Sequence, residues 1–362
     1  MPSTGAVKAA LVTGGGGFLG GAIARSLNAR GIRTGSISRS AYPALEELGI
    51  RTFQADLASP RSGERGLRRA IKEMSADTVF HCAALPGVWG RKEDFEDANV
   101  AATDAVIGAC QSEGVPRLVF TSSPSVVFGG KSHVDAGPDL PYPDRYLAHY
   151  PRTKAEAERR VLAAEAPGEL ATISLRPHLI FGPGDPNLVP RLLAKADAGK
   201  LRIVGDGMSE VSLTYVGNAA AAHLAAADAL AENPDSPARG RAFFVNNEEP
   251  VRLWEWINGL LEATGRKPVK RRVPASLAYG AGATLEAFYR ATGRKGLDQE
   301  PPITRFVARQ LATSHSYDMR PFMEAVEGRY EERTDLAEAT RLTAAWAAEA
   351  FPASGPGPAP AP

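Results

Sequence analysis

A chain of 362 residues, 44% hydrophobic and 23% charged, has the size and apolar content of one large α/β domain, or of one with a smaller substrate lobe. Its formal net charge of +1 argues against a nucleic-acid partner or an acidic tail. Cys82 and Cys110 stand in apolar or helical contexts and read as reduced core thiols; with no secretion signal and no run of ~18 apolar residues, the chain reads as cytoplasmic.

Ala9-Ala10-Leu11-Val12-Thr13 is a short apolar run that ends in glycines, as a buried parallel strand does. Phe18 to Arg30 follows as a helix with Ile23 and Leu27 inward and Gly31 as its stop. Further strands are predicted at 32–38, 51–54, 78–82, 117–121 and 171–175, with helices at 60–74, 94–111 and 152–164 between them. This alternation predicts a doubly wound parallel α/β sheet. After Arg176 the rhythm changes. A hairpin is expected around Gly205-Asp206-Gly207, an alanine-rich helix over 216–231, and mainly helix over 251–345. The expected division is a dinucleotide-binding domain over 1–176, completed by about 213–247, and a smaller, mainly helical substrate lobe over 177–212 and 248–345. Residues 352–362 contain only Pro, Ala, Gly and Ser and read as a disordered tail.

The first strand runs directly into Gly14, Gly17 and Gly20 and then into a helix, the context in which such glycines hold a pyrophosphate. Gly14 permits the tight turn, Gly17 a close backbone approach, and Gly20 helix–strand packing, while Phe18 and Leu19 open the helix whose free N–H groups face the phosphates. The run also fits Gly-x-Gly-x-x-Gly from Gly15, so the glycines alone do not select a subtype. At the end of the second strand, where a carboxylate would accept from an NAD ribose, the chain has Ser38 and Arg39; a guanidinium suits a 2′-phosphate and predicts NADP(H). Asp56, beside Leu57, is placed either to accept from the adenine amino group or to cap the helix near Pro60.

Tyr150 and Lys154 stand at i and i+4 and share one helix face. A free phenol titrates near ~10, and a nearby ammonium favours its ionised form. Tyr150 is thus a proton donor or acceptor tuned by Lys154, which would also hold the nicotinamide ribose. Ser123, at the carboxyl end of the fifth strand, is the chosen hydroxyl donor to a substrate oxygen, with Ser122 and Ser125 as alternatives. No His-x-x-x-His pair suggests a metal.

The set Thr13-Gly14-x-x-Gly17-x-x-Gly20, His81-Cys82-Ala83-Ala84, Asn99-Val100, Thr121-Ser122-Ser123, Tyr150-Pro-Arg-Thr-Lys154 and Arg176-Pro177 to Asp185 resembles the extended short-chain dehydrogenase/reductases, over about residues 8–345. Within them it is similar to the 3β-hydroxysteroid dehydrogenase-like branch. The resemblance implies a Rossmann fold, Ala83 and Ala84 on the nicotinamide side, Pro177 and Ile180 as a backbone wall, and Asn99 as support, counted among the cofactor-binding residues. It also implies a homodimer. Val88-Trp89-Gly90, Ser212–Val216 and Thr304–His315 look like the 2-alkyl-3-oxoalkanoate reductases of bacterial long-chain olefin biosynthesis and like sterol-4α-carboxylate 3-dehydrogenases. The implied activity is reduction of the β-keto group of a long-chain 2-alkyl-3-oxoalkanoic acid. The alternatives are a sterol dehydrogenase and, from another class, a catalytically silent NADP-binding regulator. Ser-Ser after Thr121, where the family's dehydratases have Asp-Glu, argues against sugar dehydration.

The implied partner is a small-molecule substrate, an apolar carboxylic acid. His149, His178, Arg152, Arg191 and His315 are unranked candidates for its carboxylate. The segment 273–290 carries Leu277, Leu285 and Phe288 on one helix face with Arg271, Arg272 and Arg290 flanking. It reads as a lid, as a helix lying on a membrane surface or partner, or as an ordinary core-facing helix.

Overall fold

The protein is described by a computed structural model covering residues 5–247 and 249–353. From residue 354 onward, the tail expected at 352–362 lies outside the described residues.

Seven strands form the central sheet: β1 (Ala9–Thr13), β2 (Arg33–Ser38), β3 (Arg51–Gln54), β4 (Thr78–His81), β5 (Arg117–Thr121), β6 (Ala171–Pro177) and β7 (Arg241–Val245). Their spatial order is β7-β6-β5-β4-β1-β2-β3, and every neighbouring pair is parallel. Buried on both faces, β1, β4 and β6 are the continuous apolar or fully covered runs that such a position requires. Helices Pro60–Met74, Ala102–Glu113 and His149–Ala163 share one core with the sheet. Helices Phe18–Ala29 and Val216–Glu232 cover the other face, where every residue from Ala219 to Ala227 is buried. The chain leaves β1 for β2 on one side and returns to β4 on the other. A crevice therefore opens at the carboxyl ends of β1 and β4, the switch point of the sheet.

The helix expected over 94–111 runs from Lys92 to Glu113, with a wide π-helical turn at Glu96–Ala101 that carries Asn99. The hairpin expected around 205–207 does not form. Ile203-Val204 pairs in parallel with Arg272-Val273, and Glu210-Val211 pairs antiparallel with Val251-Arg252. Gly205 and Gly207 do turn the chain, with φ of +79° and +76°, but the partners on either side are distant in sequence.

A second, four-stranded sheet has the order Val251-Arg252, Glu210-Val211, His315–Tyr317, His133–Ala136. Its last strand comes from the first half of the chain. Helices Leu253–Ala263, Ala275–Ala291, Arg305–Ala312 and Leu336–Ala350 build the remaining lobe around Phe181, Trp254, Trp256 and Leu260. No helix among the described residues is long and apolar enough to cross a membrane.

Candidate active site

The glycine turn is fixed from both sides. Gly14 has φ +69°, its N–H donates to Ile37 O at 2.8 Å, and an added Cβ would meet the Ala83 backbone at 3.0 Å. A Cβ on Gly20 would run into the Gly14 carbonyl, so only glycine lets the helix sit this close to the strand. No side chain caps Gly17, which leaves the first-turn N–H groups of Phe18–Ala29 directed at the crevice. That is a cradle for a dinucleotide pyrophosphate, and the residues present fit one.

A buried polar chain ties this turn to the β4 loop. Thr103 donates to Asn99 O (2.7 Å), so His81 Nε2 donates to Thr103 Oγ1 (3.0 Å) and its Nδ1 accepts from Thr13 Oγ1 (2.8 Å). Thr13 Oγ1 in turn accepts from the N–H groups of Cys82 and Ala83 at 3.2 and 3.1 Å. Burial holds His81 neutral, its pKa pushed down to about 3, with the Lys154 charge adding to the effect.

A cleft of about 1060 Å³ runs along the carboxyl ends of the strands. Gly14, Gly17, Phe18, Leu19 and Gly20 line it at the turn; Ser38, Arg39, Asp56 and Leu57 at one end; Ala83, Ala84, Pro177 and Ile180 towards the other. Asn99 does not line it. This corrects its place among cofactor-binding residues: it is buried, its Oδ1 accepts from Leu85 N (2.7 Å), and its Nδ2 donates to Leu85 O (3.3 Å) and Thr153 Oγ1 (3.0 Å). It buttresses the cleft wall from behind. Arg39 is exposed and makes no ion pair among the described residues, which leaves its guanidinium free at the cleft edge. The Ser38 hydroxyl accepts from Gly16 N at 3.3 Å. Asp56 Oδ1 accepts from Ala58 N at 3.2 Å rather than capping the helix at Pro60, whose N-cap is Ser59. Tyr42, unforeseen from sequence, also lines the cleft and covers Gly16, where any Cβ would fall inside its ring.

Ser123, Tyr150 and Lys154 converge on the inner part of this cleft. Packing separates the serines. Thr121, Ser122 and Ser123 all border the cleft, but the Ser122 hydroxyl is buried with no hydrogen-bond partner among the described residues, whereas Ser123 Oγ is held by Ser125. Ser125 does not line the cleft; it serves Ser123 instead, donating from its N–H (3.2 Å) and its hydroxyl (2.9 Å) to Ser123 Oγ. With its acceptor sites filled, the Ser123 hydroxyl has a proton left to give, and Tyr150 lines the same cleft.

Helix His149–Ala163 begins one residue before Tyr150, and Pro151 sits in its first turn where its missing N–H costs nothing. Lys154 is 3% exposed; its Nζ donates to Thr121 O at 2.6 Å and lies 4.0 Å above the Phe120 ring. Burial pushes this ammonium down to about 7. The Tyr150 phenol is pushed up by burial, opposed by the Ser123 hydroxyl. The lowering of Tyr150 by Lys154 that sequence reasoning assigns is not a property of the protein alone. Desolvation is the largest influence on the phenol and outweighs the opposing Ser123 hydroxyl.

One turn beyond Lys154, Glu158 is fully buried and forms a forked ion pair with Arg176 of β6 (2.7 and 3.0 Å), while also accepting from Tyr142 (2.7 Å) and Ser174 (2.8 Å). Glu158 sits at i+8 from Tyr150, on the same face. This pair pins the helix that presents Tyr150 and Lys154; the sequence signal for it was only that spacing.

None of the five candidate carboxylate ligands lines the cleft. Arg152 is paired with Glu96 at 2.8 Å and Arg191 with Glu300. His149 packs on Phe95. His178 and His315 stack edge to face, 5.4 Å apart, with His133 and Tyr317 beside them. Residues not foreseen also line the cleft that Ser123, Tyr150 and Lys154 share: Leu85, Pro86 and Leu179. Leu179 has φ +42°, a costly conformation for a branched residue, and His178 and Thr214 bracket it.

The profile of the 3-beta hydroxysteroid dehydrogenase/isomerase family matches residues 11–275. The chain is 44% identical to the 2-alkyl-3-oxoalkanoate reductase of Stenotrophomonas maltophilia, over 86% of this chain and 91% of that protein. It is 41% identical to the protein of the same name from Shewanella oneidensis, over 86% and 80%. The human sterol-4-alpha-carboxylate 3-dehydrogenase, decarboxylating, is 36% identical over 74% of this chain and 69% of its own. Among solved structures, MoeE5 in complex with UDP-glucose and NAD superposes with a TM-score of 0.69 at 26% identity, covering 94% of this chain and 99% of its own. The epimerase Mth375 of Methanothermobacter thermautotrophicus shares the fold, with a TM-score of 0.71 at 22% identity over 95% and 93%. The chain belongs to the 3-beta hydroxysteroid dehydrogenase/isomerase family and is an oxidoreductase of the extended short-chain dehydrogenase/reductase type.

Proposed function

We propose that the protein is an NADPH-dependent reductase of the β-keto group of long-chain 2-alkyl-3-oxoalkanoic acids. The observation that carries the chemistry is the Ser123 hydroxyl: two Ser125 donors fill its acceptor sites, so its proton is left for an acceptor in the cleft that Tyr150 and Lys154 also line. The Gly14–Gly20 turn and the first-turn N–H groups would hold the dinucleotide, whose chemistry when bound would be delivery of a hydride to a carbonyl carbon. Ser123 donates to the carbonyl oxygen and steadies the charge that develops there. Tyr150 gives its phenolic proton to that oxygen as the C=O π bond breaks, leaving a phenolate that Lys154 in its cationic form stabilises until a proton returns from solvent. Thr121 O holds the Lys154 head in place.

The substrate class is supported by the 44% identity to a reductase of that name and by the apolar wall of Leu85, Pro86, Leu179 and Ile180. NADPH over NADH is supported by the unpaired Arg39 at the cleft edge, with no carboxylate at Ser38. A sterol substrate, read from the 36% identical human relative, is the second reading.

The test is NADPH oxidation with a 2-alkyl-3-keto acid, run beside NAD(P)+ reduction with a 4-carboxysterol. Turnover of the sterol alone overturns the substrate assignment. Arg39→Asp should move preference towards NADH by about 10-fold or more, one charge-assisted fork being worth ~1.5–3 kcal/mol. A parent enzyme that already prefers NADH refutes the cofactor reading.

A further inference from the structure

Helix Ala275–Ala291 is held by one face and bare on the other. Ala278, Gly282 and Glu286 are buried, and a Cβ on Gly282 would meet the Arg305 nitrogen at 2.8 Å, so the helix lies hard against the start of Arg305–Ala312. Glu286 is 1% exposed and accepts from Arg305 N (2.6 Å), Arg305 Nε (3.0 Å) and Arg290 Nη2 (3.3 Å). On the opposite face Leu277, Ala281, Thr284 and Phe288 follow at helical spacing, all exposed, with Leu277 and Phe288 each at 63%. Between Ala275 and Tyr289 the only charged residue is the buried Glu286. A surface helix of a globular protein ordinarily turns charge to the water on this face.

The charge that the helix lacks is gathered at its ends. Residues 267–295 hold seven lysines and arginines against Glu286 alone, in a chain whose totals are 42 basic and 41 acidic. Lys267, Lys270, Arg271 and Arg272 are exposed before the helix, and Arg290 and Lys295 are exposed at and after its end. A helix of 17 residues separates the two groups by about 25 Å. An apolar strip between two basic clusters complements anionic headgroups over an acyl boundary. A second copy of this chain is a poor occupant, because a two-fold contact would bring basic clusters together.

We propose that this helix docks the protein peripherally on an anionic lipid surface. The docked edge adjoins the cleft. Trp89 Nε1 donates to Gly296 O at 2.9 Å, the Arg290 guanidinium lies 5.1 Å over its ring, and Tyr289 meets it edge-on at 6.4 Å. The Trp89 loop leads back to Leu85 and Pro86 in the cleft wall, so an apolar substrate dissolved in the lipid would meet the cleft at the bilayer surface.

Flotation of the full-length protein with phosphatidylglycerol-containing vesicles, and with phosphatidylcholine alone, tests this. Binding is expected to the anionic vesicles, weakened by raising salt from about 0.1 M to about 0.5 M. It should fall about 10-fold in Leu277→Ser/Phe288→Ser and about as much in Arg271→Glu/Arg272→Glu, with melting temperature and turnover of a water-soluble substrate unchanged. The second variant lies outside the helix and keeps the test open should the first fold poorly. No preference for anionic vesicles, or variants that float as the parent does, overturns the proposal. So does a parent dimer, by light scattering, that either variant converts to monomer.

Discussion

Ser125 gives both its donors to Ser123, the N–H at 3.2 Å and the hydroxyl at 2.9 Å, and so fixes the direction of a hydroxyl that it does not itself bring to the cleft. Three serines among four residues differ in their surroundings: the Ser122 hydroxyl is buried without a partner among the described residues, Ser123 lines the cleft, and Ser125 holds Ser123 without lining it. Removing one preorganised donor to a developing oxyanion costs about 10²–10³ in rate. Ser123→Ala is expected to lower kcat by that factor. Ser125→Ala leaves the N–H but frees the Ser123 rotor, and an intermediate loss of about 10-fold is expected, again in kcat rather than KM. Ser122→Ala should turn over nearly as the parent does. Steady-state kinetics on the three variants would refute the arrangement if Ser122→Ala were as damaging as Ser123→Ala.

Lys154 is poised to change charge near neutrality, because burial pushes its ammonium down to about 7. A dinucleotide brings negative phosphates and ribose hydroxyls to the same cleft and favours the cationic form. Binding should therefore take up a proton, most strongly at and above pH 7, and affinity should weaken as pH rises past about 7 in the free protein. Calorimetry in buffers of different ionisation enthalpy measures the uptake directly. Lys154→Met is expected to abolish it and to flatten the pH dependence of affinity between pH 6 and 9. Equal proton uptake by parent and variant would place the titrating group elsewhere.

The glycine turn and the Tyr150–Lys154 pair were legible because each is a local pattern whose spacing is set by one turn or one helix. Six of the seven parallel strands were legible for a similar reason: short apolar runs alternate with amphipathic helices. The seventh, β7 at Arg241–Val245, lies beyond the regular alternation and was not predicted as a strand. Ser122, Ser123 and Ser125 could not be separated from sequence alone, because which hydroxyl is buried and which is held by a neighbour depends on packing. Other features depend on contacts between distant segments. The Glu158–Arg176 pair joins a helix to a strand, and the His133–His178–His315 group meets only where three short strands or loops converge. The two-residue strand Ile203-Val204 found its partner at 272–273 and not across the adjacent glycines, because a strand so short carries too little pattern to select a neighbour.

All six histidines of the chain are held below their ordinary pKa, each with burial as the largest cause. His81 is pushed down to about 3, and His178 and His223 to about 4. In the unfolded chain these groups take up protons near ~6.5, and in the folded chain only well below that. Between those limits the unfolded state binds more protons, so stability rises with pH; it is complete above about 6.5 and is lost as pH falls towards 4. These three buried rings therefore act in the same direction, each favouring unfolding as the pH falls through that window. The melting temperature is expected to vary little between pH 8 and pH 7 from this source and to drop steeply between pH 6 and pH 4.5. His81 is the informative site, because its ring bridges Thr13 and Thr103 under the glycine turn. His81→Gln removes one titrating group, so the variant should start less stable at pH 8 and lose less on acidification. Calorimetric scans of both proteins across the range decide it: parallel curves, or a melting temperature that stays flat to pH 5, would show that these histidines do not govern acid unfolding.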